Sequence, residues 1–308
     1  MLMLGAHMSI AGGFHKAVDR AKAIGFNCVQ IFTAAPQQWQ VQASKTTFQS
    51  GGFLTKNNNQ WRAKEIGDDE ATKFQTALAE LKIGQPLSHA SYLINLASGD
   101  EALWERSVAG MVVELERAEK LSIAYVVVHP GAHPGIEEEV GIENVIRAID
   151  EVHVRLPKSR SQMLLETTAG QGSSLGHRFE QLARMIAGVK QPERVGVCVD
   201  TCHLFAAGYP LIEKKDYLAT FRSFDELVGV ERIKAFHLND SKKDFGTRVD
   251  RHEHIGHGKM GLAPFAHLLN DRRFRDVPMY LETPKDMHEG EEWDVINLRT
   301  LRGLVEKH

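Results

Sequence analysis

Histidines and carboxylates in this chain recur at the ends of short apolar runs, where they could bind divalent metal ions. The chain carries 15 histidines in 308 residues, so imidazole is plentiful. Asp250 and His252 are spaced i,i+2, which in an extended segment places both side chains on one face. Imidazole and carboxylate ligands together suit zinc, manganese or iron. The candidate ligands are His89, His129, Glu166, Asp200, His203, His237, Asp250, His252 and Glu282.

Each of these residues has a simpler interpretation when it is taken alone. A single histidine at a strand end is more often a hydrogen-bonded structural residue than a ligand, and a single carboxylate there could cap a helix. The Asp-x-x-His spacing of Asp200 and His203 is weak evidence by itself, because such short motifs arise by chance. The joint placement favours metal binding, because six different apolar runs end in a plausible ligand.

Three other histidine or cysteine residues are not interpreted as metal ligands. Cys202 lies between two candidate ligands, and we interpret it as a buried thiol that does not bind metal. His153 lies on a predicted helix and is expected to be exposed to solvent. The role of His7, in the first apolar run, is left open.

The apolar runs alternate with amphipathic helical patterns, which is typical of an α/β fold. Eight strand–helix units predict a parallel sheet closed into a single-domain (β/α)8 TIM barrel spanning residues 1–308. The predicted strands are Met3–His7, Cys28–Phe32, Pro86–His89, Tyr125–His129, Met163–Glu166, Val195–Asp200, Lys234–His237 and Met279–Glu282. The predicted helices are Phe14–Ile24, Glu101–Leu121, Glu143–Arg155, Arg178–Val189, Tyr217–Val228, Pro264–Leu269 and Trp293–Val305.

This topology explains how residues far apart in sequence could form one site. The carboxyl ends of barrel strands converge on one rim, where the active sites of the fold lie. Burying nine imidazole and carboxylate groups there without partners would be costly. Divalent cations would remove that cost, so the sequence predicts a metal centre at the rim.

Composition narrows the class of protein. A hydrophobic fraction of 43% and a charged fraction of 25% are ordinary for a globular domain, and no apolar run is long enough to suggest a membrane span. The three cysteines, odd in number and set in apolar runs, favour a reducing cytoplasm over a disulfide framework. The net charge of −3 disfavours a general nucleic-acid binder, so any DNA binding must depend on a local basic face or on metal ions.

These motifs resemble those of the endonuclease IV family of abasic-site endonucleases, over nearly the whole chain. The segments that carry the resemblance are GAHMSIAGG, HASYLINL, VVHPGAH, LETTAGQG, DTCHLFAAGY, FHLNDSK, RVDRHEHIG and YLETPK. The resemblance implies a DNA-repair hydrolase, acting in base excision repair, on a barrel with three zinc ions, or manganese or iron at some sites. It assigns His89 and His129 to the first ion. Glu166 bridges the first and second ions. The remaining assignments are Asp200, His237 and Glu282 to the second ion, and His203, Asp250 and His252 to the third.

The resemblance also implies how DNA is held. Tyr92 and Leu93 match residues that the family pushes into the duplex at the lesion, so that a flipped abasic nucleotide enters the metal pocket. The alternative for Tyr92 is a rim residue that packs on barrel helices. Lys242, Arg248 and Arg251 could bind phosphates, or could be solvated surface charges. The implied partner is double-stranded DNA with abasic or 3′-blocked lesions, and a monomer is expected.

Two positions depart from the family pattern. After Thr33 the chain has a polar insertion at about 34–56, before a second copy of the expected Gln-Trp pair. Depending on the alignment, Gln37 or Asn59 occupies the position where the family inserts an arginine into DNA. His257 replaces a carboxylate common in the family, and we expect a minor effect.

The implied reaction is hydrolysis of the phosphodiester on the 5′ side of an abasic sugar. Hydroxide held between the first two ions, beside the catalytic Glu166, would attack the phosphate. The third ion would stabilise the leaving 3′ oxygen. The products would be a 3′-hydroxyl and a 5′-deoxyribose phosphate, and trimming of blocked 3′ ends would use the same chemistry.

Two other functions compete with this one. A sugar isomerase or epimerase on the same barrel would also use Glu166, Asp200, His237 and Glu282, but it has no use for the other five candidate ligands. A non-catalytic protein that binds abasic DNA is the second alternative, and the intact ligand set speaks against it.

Overall fold

The computed structural model of the chain describes residues 2–33 and 65–306. Eight parallel strands form a closed barrel, which confirms the predicted (β/α)8 TIM fold. The barrel strands are β1 (Leu4–His7), β2 (Cys28–Phe32), β3 (Gly84–His89), β4 (Tyr125–Val128), β5 (Gln162–Glu166), β6 (Val195–Asp200), β7 (Ile233–His237) and β10 (Met279–Leu281). Their order around the barrel is β1-β10-β7-β6-β5-β4-β3-β2, closing on β1.

Helices surround the barrel, and two short antiparallel strand pairs lie outside it. The helices of the described residues are α1 (Phe14–Ile24), α2 (Asp68–Leu81), α3 (Glu101–Lys120), α4 (Glu138–Arg155), α5 (Phe179–Gly188), α6 (Thr201–Ala207), α7 (Lys214–Leu227), α8 (Ala263–Leu269) and α9 (Trp293–Gly303). The short pairs are β8 (Asp240–Ser241) with β9 (His252–Glu253), and β11 (Met287–His288) with β12 (Glu291–Glu292).

Side chains alternate along the barrel strands between the interior of the barrel and the surrounding helices. An interior apolar layer consists of Cys28, Leu87, Val127, Leu164, Cys198, Ala235 and Tyr280. Two residues after each of these comes a polar residue: Gln30, His89, His129, Glu166, Asp200, His237 and Glu282. Because strand side chains repeat every two residues, these polar groups face the same interior, one layer nearer the C-terminal rim.

On β1 the equivalent two positions are Gly5 and His7. A Cβ atom at Gly5 would collide with the carbonyl of Cys28, so only glycine fits beside β2 at this point. His7 then occupies the polar layer. All eight strands therefore contribute a polar residue to the layer below the rim.

The outer core lies between the strands and the helices. In α3, Trp104, Val108, Met111, Leu115 and Ala118 are buried, at the three- and four-residue spacing that turns one face of a helix toward the sheet. The helix begins after Asp100, whose carboxylate accepts a hydrogen bond from the Leu103 amide at 2.8 Å. This packing holds the strand ends in fixed relative positions.

Most predicted elements are present, but α2 and α6 were not predicted. The sequence of α2 follows a long polar stretch and has an acidic first turn, so it gave a weak apolar pattern. Helix α6 has seven residues and starts directly at the end of β6, which leaves little periodicity to detect. His129 and Glu282, predicted as strand residues, lie just beyond β4 and β10.

The prediction that His153 is exposed was wrong. This residue on α4 is only 5% exposed, and burial together with Arg194 lowers the pKa of its imidazole to about 4. Cys202 is buried as predicted, and Cys28, Cys198 and Cys202 are free thiols. The predicted insertion at 34–56, with Gln37 and Asn59, lies outside the described residues.

In the part of the chain that the structure describes, no helix combines the length and apolar character that a membrane crossing requires.

Candidate metal centre

The C-terminal rim brings the nine candidate ligands together. Six end a barrel strand or directly follow one, and His203 lies in the first turn of α6. His252 begins β9, and Asp250 lies two residues before it. Among the described residues, ligand atoms within 4.8 Å of one another form a first group of His89, His129 and Glu166 and a second group of Glu166, Asp200, His237 and Glu282. Two further overlapping sets are Asp200–His203–His252 and Cys202–Asp250–His252. The first and second groups coincide with the ligand sets implied by the family resemblance.

Glu166 lies at the centre of the first group. Its Oε2 atom is 3.1 Å from Nε2 of His89 and 3.0 Å from Nε2 of His129. The Glu166 side chain is buried, whereas that of His129 is 40% exposed. The group is therefore anchored inside the barrel and opens to solvent on the side of β4.

The other oxygen of Glu166 faces the second group. Its Oε1 atom is 2.9 Å from Nδ1 of His237, and the same nitrogen is 3.2 Å from Oε2 of Glu282. Oδ2 of Asp200 lies 3.9 Å from that nitrogen. One carboxylate thus presents one oxygen to each group, which is the geometry a bridging ligand requires.

We define a third group as His203, Asp250 and His252, which belong to the two further sets and are joined by contacts to Asp250. Nε2 of His203 is 3.1 Å from one Asp250 oxygen, and Nε2 of His252 is 3.3 Å from the other. Both nitrogens are buried, and neither makes a hydrogen bond to the described residues. Unsatisfied buried nitrogens beside a carboxylate fit a shared cation better than they fit a hydrogen-bond network. Cys202 borders this group, and its thiol donates to the carbonyl of Arg251 at 3.8 Å.

In His89 and His203, the contacts of Nδ1 show that Nε2 is the nitrogen available to bind a metal. Nδ1 of His89 lies 2.7 Å from the Ala90 carbonyl, and Nδ1 of His203 lies 2.7 Å from that of Thr167. Carbonyl oxygens only accept, so Nδ1 donates and the neutral ring presents its lone pair at Nε2. Each Nε2 then faces a carboxylate that is also an acceptor. Two acceptors at this distance need a proton or a cation between them, so these residues fit metal ions.

The charges of the site also favour a bound cation. Although burial acts to raise the pKa of Glu166, His129 and His237 hold it well below its ordinary value. Burial acts to lower the pKa of His203, yet Asp200, Asp250 and Glu166 raise it well above its ordinary value. Glu166 therefore remains ionised and attracts positive charge into the interior of the barrel.

Asp200 also caps a helix, as the simpler interpretation proposed. Its Oδ1 atom accepts a hydrogen bond from the His203 amide at 2.8 Å, at the start of α6. Its Oδ2 atom accepts from Nδ2 of Asn239 at 2.6 Å and faces the second group. Asn239 in turn accepts from the Glu282 amide at 2.9 Å. One carboxylate therefore positions α6 and keeps its second oxygen in the candidate metal centre.

Two residues of the polar layer were missed by the sequence analysis. Gln30 is fully buried and contacts both Glu282 and His237. His7, whose role was left open, lies 3.0 Å from Gln30, and burial lowers the pKa of its imidazole to about 3. The signal was available, because both residues occupy the same position in the two-residue period as the candidate ligands.

The residues predicted to contact DNA lie in the loops of the same rim. Tyr92 is 55% exposed directly after β3, and Leu93 beside it is partly buried. Lys242, Arg248 and Arg251 are exposed between β8 and β9. Nζ of Lys242 lies 3.7 Å from Glu253. These side chains therefore lie on loops that leave the barrel at the rim where the candidate metal centre lies.

A closed parallel barrel with polar groups at its C-terminal rim is typical of TIM-barrel enzymes. The family model that matches residues 18–303 is described as a xylose isomerase-like TIM barrel. A probable endonuclease 4 of Chloroflexus aurantiacus is 46% identical over 308 residues, covering 99% of each chain. Endonuclease IV from Thermus thermophilus superposes with a TM-score of 0.78 at 36% identity, covering 98% of each chain. The chain belongs to the endonuclease IV family.

The same fold also occurs in proteins of other activities. A D-tagatose 3-epimerase-like protein matches with a TM-score of 0.69 at 16% identity, covering 98% of this chain and 97% of that one. At this identity the likeness concerns the fold alone. The function must therefore be argued from the residues at the rim.

Proposed function

We propose that this protein hydrolyses the phosphodiester on the 5′ side of abasic sites in double-stranded DNA. The observation that carries the proposal is the chain of imidazole–carboxylate contacts that runs from His89 through Glu166 to His237 and continues to the His203–Asp250–His252 group. Membership of the endonuclease IV family makes the chain a nuclease. The products are a 3′-hydroxyl and a 5′-deoxyribose phosphate, and the same reaction trims blocked 3′ ends.

The nine rim residues would hold three metal ions, preferably zinc. His89, His129 and Glu166 form one set, Glu166, Asp200, His237 and Glu282 a second, and His203, Asp250 and His252 a third. When bound, the ions supply charge neutralisation at the phosphate and acidify the attacking water. Manganese or iron would satisfy the same ligands at some sites.

The chain's own residues supply order and desolvation. Carbonyl contacts of His89 and His203 fix the orientation of the rings before substrate arrives. Glu166, Asp200 and His237 are almost completely buried, so they need little reorganisation when the phosphate binds. In the reaction the oxygen of water bonds to phosphorus, the bond to the 3′ oxygen breaks, and that oxygen takes up a proton.

The exposed side chains around the centre would hold the duplex. Tyr92 is a large exposed aromatic residue three positions after His89, and it would enter the gap left by a flipped abasic nucleotide. Leu93 would pack beside it. Lys242, Arg248 and Arg251, exposed between β8 and β9, would bind backbone phosphates. The chain's overall charge is negative, so DNA binding would depend on this local basic surface.

The epimerase alternative rests on the four residues of the second group alone. An epimerase site would not explain why the buried Nε2 atoms of His203 and His252 lie beside Asp250. The endonuclease proposal uses all of them, and we prefer it for that reason.

Replacement of Glu166 tests the proposal. We expect Glu166→Gln to lower nicking of an abasic-analogue duplex by at least about 100-fold, because a neutral amide cannot link the two groups. The matched control is Asp271→Asn, which changes a largely buried, paired carboxylate remote from the rim. Near wild-type nicking by a folded Glu166→Gln protein would refute the assignment, and sugar epimerisation would then be assayed.

A further inference from the structure

Strand β2 carries none of the nine candidate ligands, yet its residue Gln30 lies inside the candidate metal centre. The side chain is 0% exposed, and its amide makes three polar contacts. Its Oε1 atom is 2.7 Å from Nε2 of His237. Its Nε2 atom is 2.5 Å from Oε1 of Glu282 and 3.0 Å from Nδ1 of His7.

The chemistry of the amide assigns the donors and acceptors. An amide nitrogen only donates, so it donates one hydrogen to Glu282 and the other to His7. An amide oxygen only accepts, so it receives its hydrogen from Nε2 of His237. The reverse orientation would place the amide oxygen against the Glu282 carboxylate, where the two would repel. The position of Glu282 therefore fixes the orientation of Gln30.

This orientation determines which nitrogen of His237 faces the second group. With the hydrogen held on Nε2, the neutral ring presents its lone pair at Nδ1, which lies 2.9 Å from Glu166 and 3.2 Å from Glu282. His89 and His203 are arranged the other way, because carbonyls hold their Nδ1 atoms. The difference arises because Nε2 of His237 contacts the side chain of Gln30, whereas the Nδ1 atoms of His89 and His203 contact backbone carbonyls.

We propose that Gln30 is a positioning residue of the metal centre: it selects Nδ1 of His237 as the ligand atom and orients Glu282. The inference rests on the metal-binding part of the proposed function and not on its substrate. One side chain thereby controls two ligands of the second group, while the first group, at His89 and His129, does not touch it. Loss of Gln30 would weaken one ion selectively.

Gln30→Met tests the inference, because methionine has similar length and flexibility but no amide. In zinc-loaded protein we expect the affinity for one ion to fall about 10- to 100-fold, with faster zinc release to a chelator. The remaining zinc stays as in the wild type. The matched control is Cys28→Ala, on the same face of β2 and one layer deeper, which should leave zinc release unchanged.

A second variant separates positioning from packing. Gln30→Glu keeps an acceptor for His237 but removes the donor to Glu282. Long-range proton–nitrogen NMR spectra of histidine-labelled, zinc-loaded protein report which ring nitrogen of His237 carries the hydrogen. We expect the hydrogen to stay on Nε2 in Gln30→Glu and to lose that preference in Gln30→Met, with weakened zinc binding in both.

Two results would overturn the inference. One is unchanged zinc release in Gln30→Met, and the other is an unchanged His237 spectrum in that variant. Should Gln30→Met not fold, Gln30→Glu decides the matter through zinc release alone, and wild-type release would refute the proposal. None of these readouts uses DNA, so a wild-type protein that binds zinc without nicking would refute the proposed function and leave this inference standing.

Discussion

At the scale of single residues, two carboxylates of the site each direct their two oxygens to different partners. Glu166 gives one oxygen to the imidazoles of β3 and β4 and the other to that of β7. Asp200 gives one oxygen to the amide that starts α6 and the other to the second group. The two interpretations of Asp200, helix cap and ligand, are therefore compatible.

Tyr92 carries the most direct prediction about DNA. We expect Tyr92→Ala to weaken binding to an abasic-analogue duplex about 10-fold or more, since one aromatic–base stack is worth roughly 1–3 kcal/mol. Zinc content should not change, because the exposed ring lies outside the three groups. Fluorescence anisotropy with a labelled duplex measures the effect. Val154→Ala, an exposed apolar residue of α4, is the control, and equal affinities for both variants would exclude an inserting role for Tyr92.

The candidate ligands could be found from sequence because residue type and strand-end position are both visible there. Gln30 and His7 were harder, since glutamine is a poor metal ligand and its role appears only through contacts with His237 and Glu282. The burial of His153 could not be predicted either, because it depends on Arg194 and the residues around it, which belong to a neighbouring segment. Position along a strand is local information, whereas contact between segments is not.

At the scale of elements, the strands were easier to predict than the segments between them. Continuous apolar runs mark the buried strands of a parallel barrel, and the observed bounds differ from the predicted ones by at most two residues. Helix α6 and the β8–β9 pair follow from specific hydrogen bonds at the rim, which leave no periodic pattern in the sequence. These are the elements that carry His203 and His252.

Asp240 holds the β8–β9 region in place. Its buried carboxylate accepts hydrogen bonds from the amides of Ser241, Gly256, Gly258 and Met260, at 2.7 to 3.1 Å. We expect Asp240→Ala to lower the free energy of unfolding by at least about 2 kcal/mol, because it leaves buried amides without acceptors. It should also weaken zinc at the third group, since β9 carries His252.

Urea denaturation and zinc analysis measure the two effects. The control is Asp244→Ala, in the same loop but with its side chain 78% exposed, which should change neither. If Asp240→Ala kept wild-type stability and zinc content, the carboxylate would not be what fixes this hairpin.

At the scale of the whole molecule, the residues that stabilise the fold are different from those that form the candidate site. The outer core surrounds the barrel and the apolar layer fills its interior, while the polar layer and the loops that carry the exposed candidate DNA contacts lie at the C-terminal rim. We propose that residues 1–308 form one domain that acts as a monomer, with the rim free to accept a duplex. The net charge of −3 makes the ions and the basic residues of the rim the means of attracting a polyanion.

The most direct test of the three-ion endonuclease combines metal analysis with nicking on one sample of wild-type protein. The substrates are a duplex with a single abasic analogue that cannot undergo β-elimination and an otherwise identical intact duplex. We predict about three metal ions per chain, cleavage of the abasic duplex alone, and a 3′-hydroxyl at the cut. Fully metallated protein that cuts neither duplex, or cuts both equally, would contradict the account.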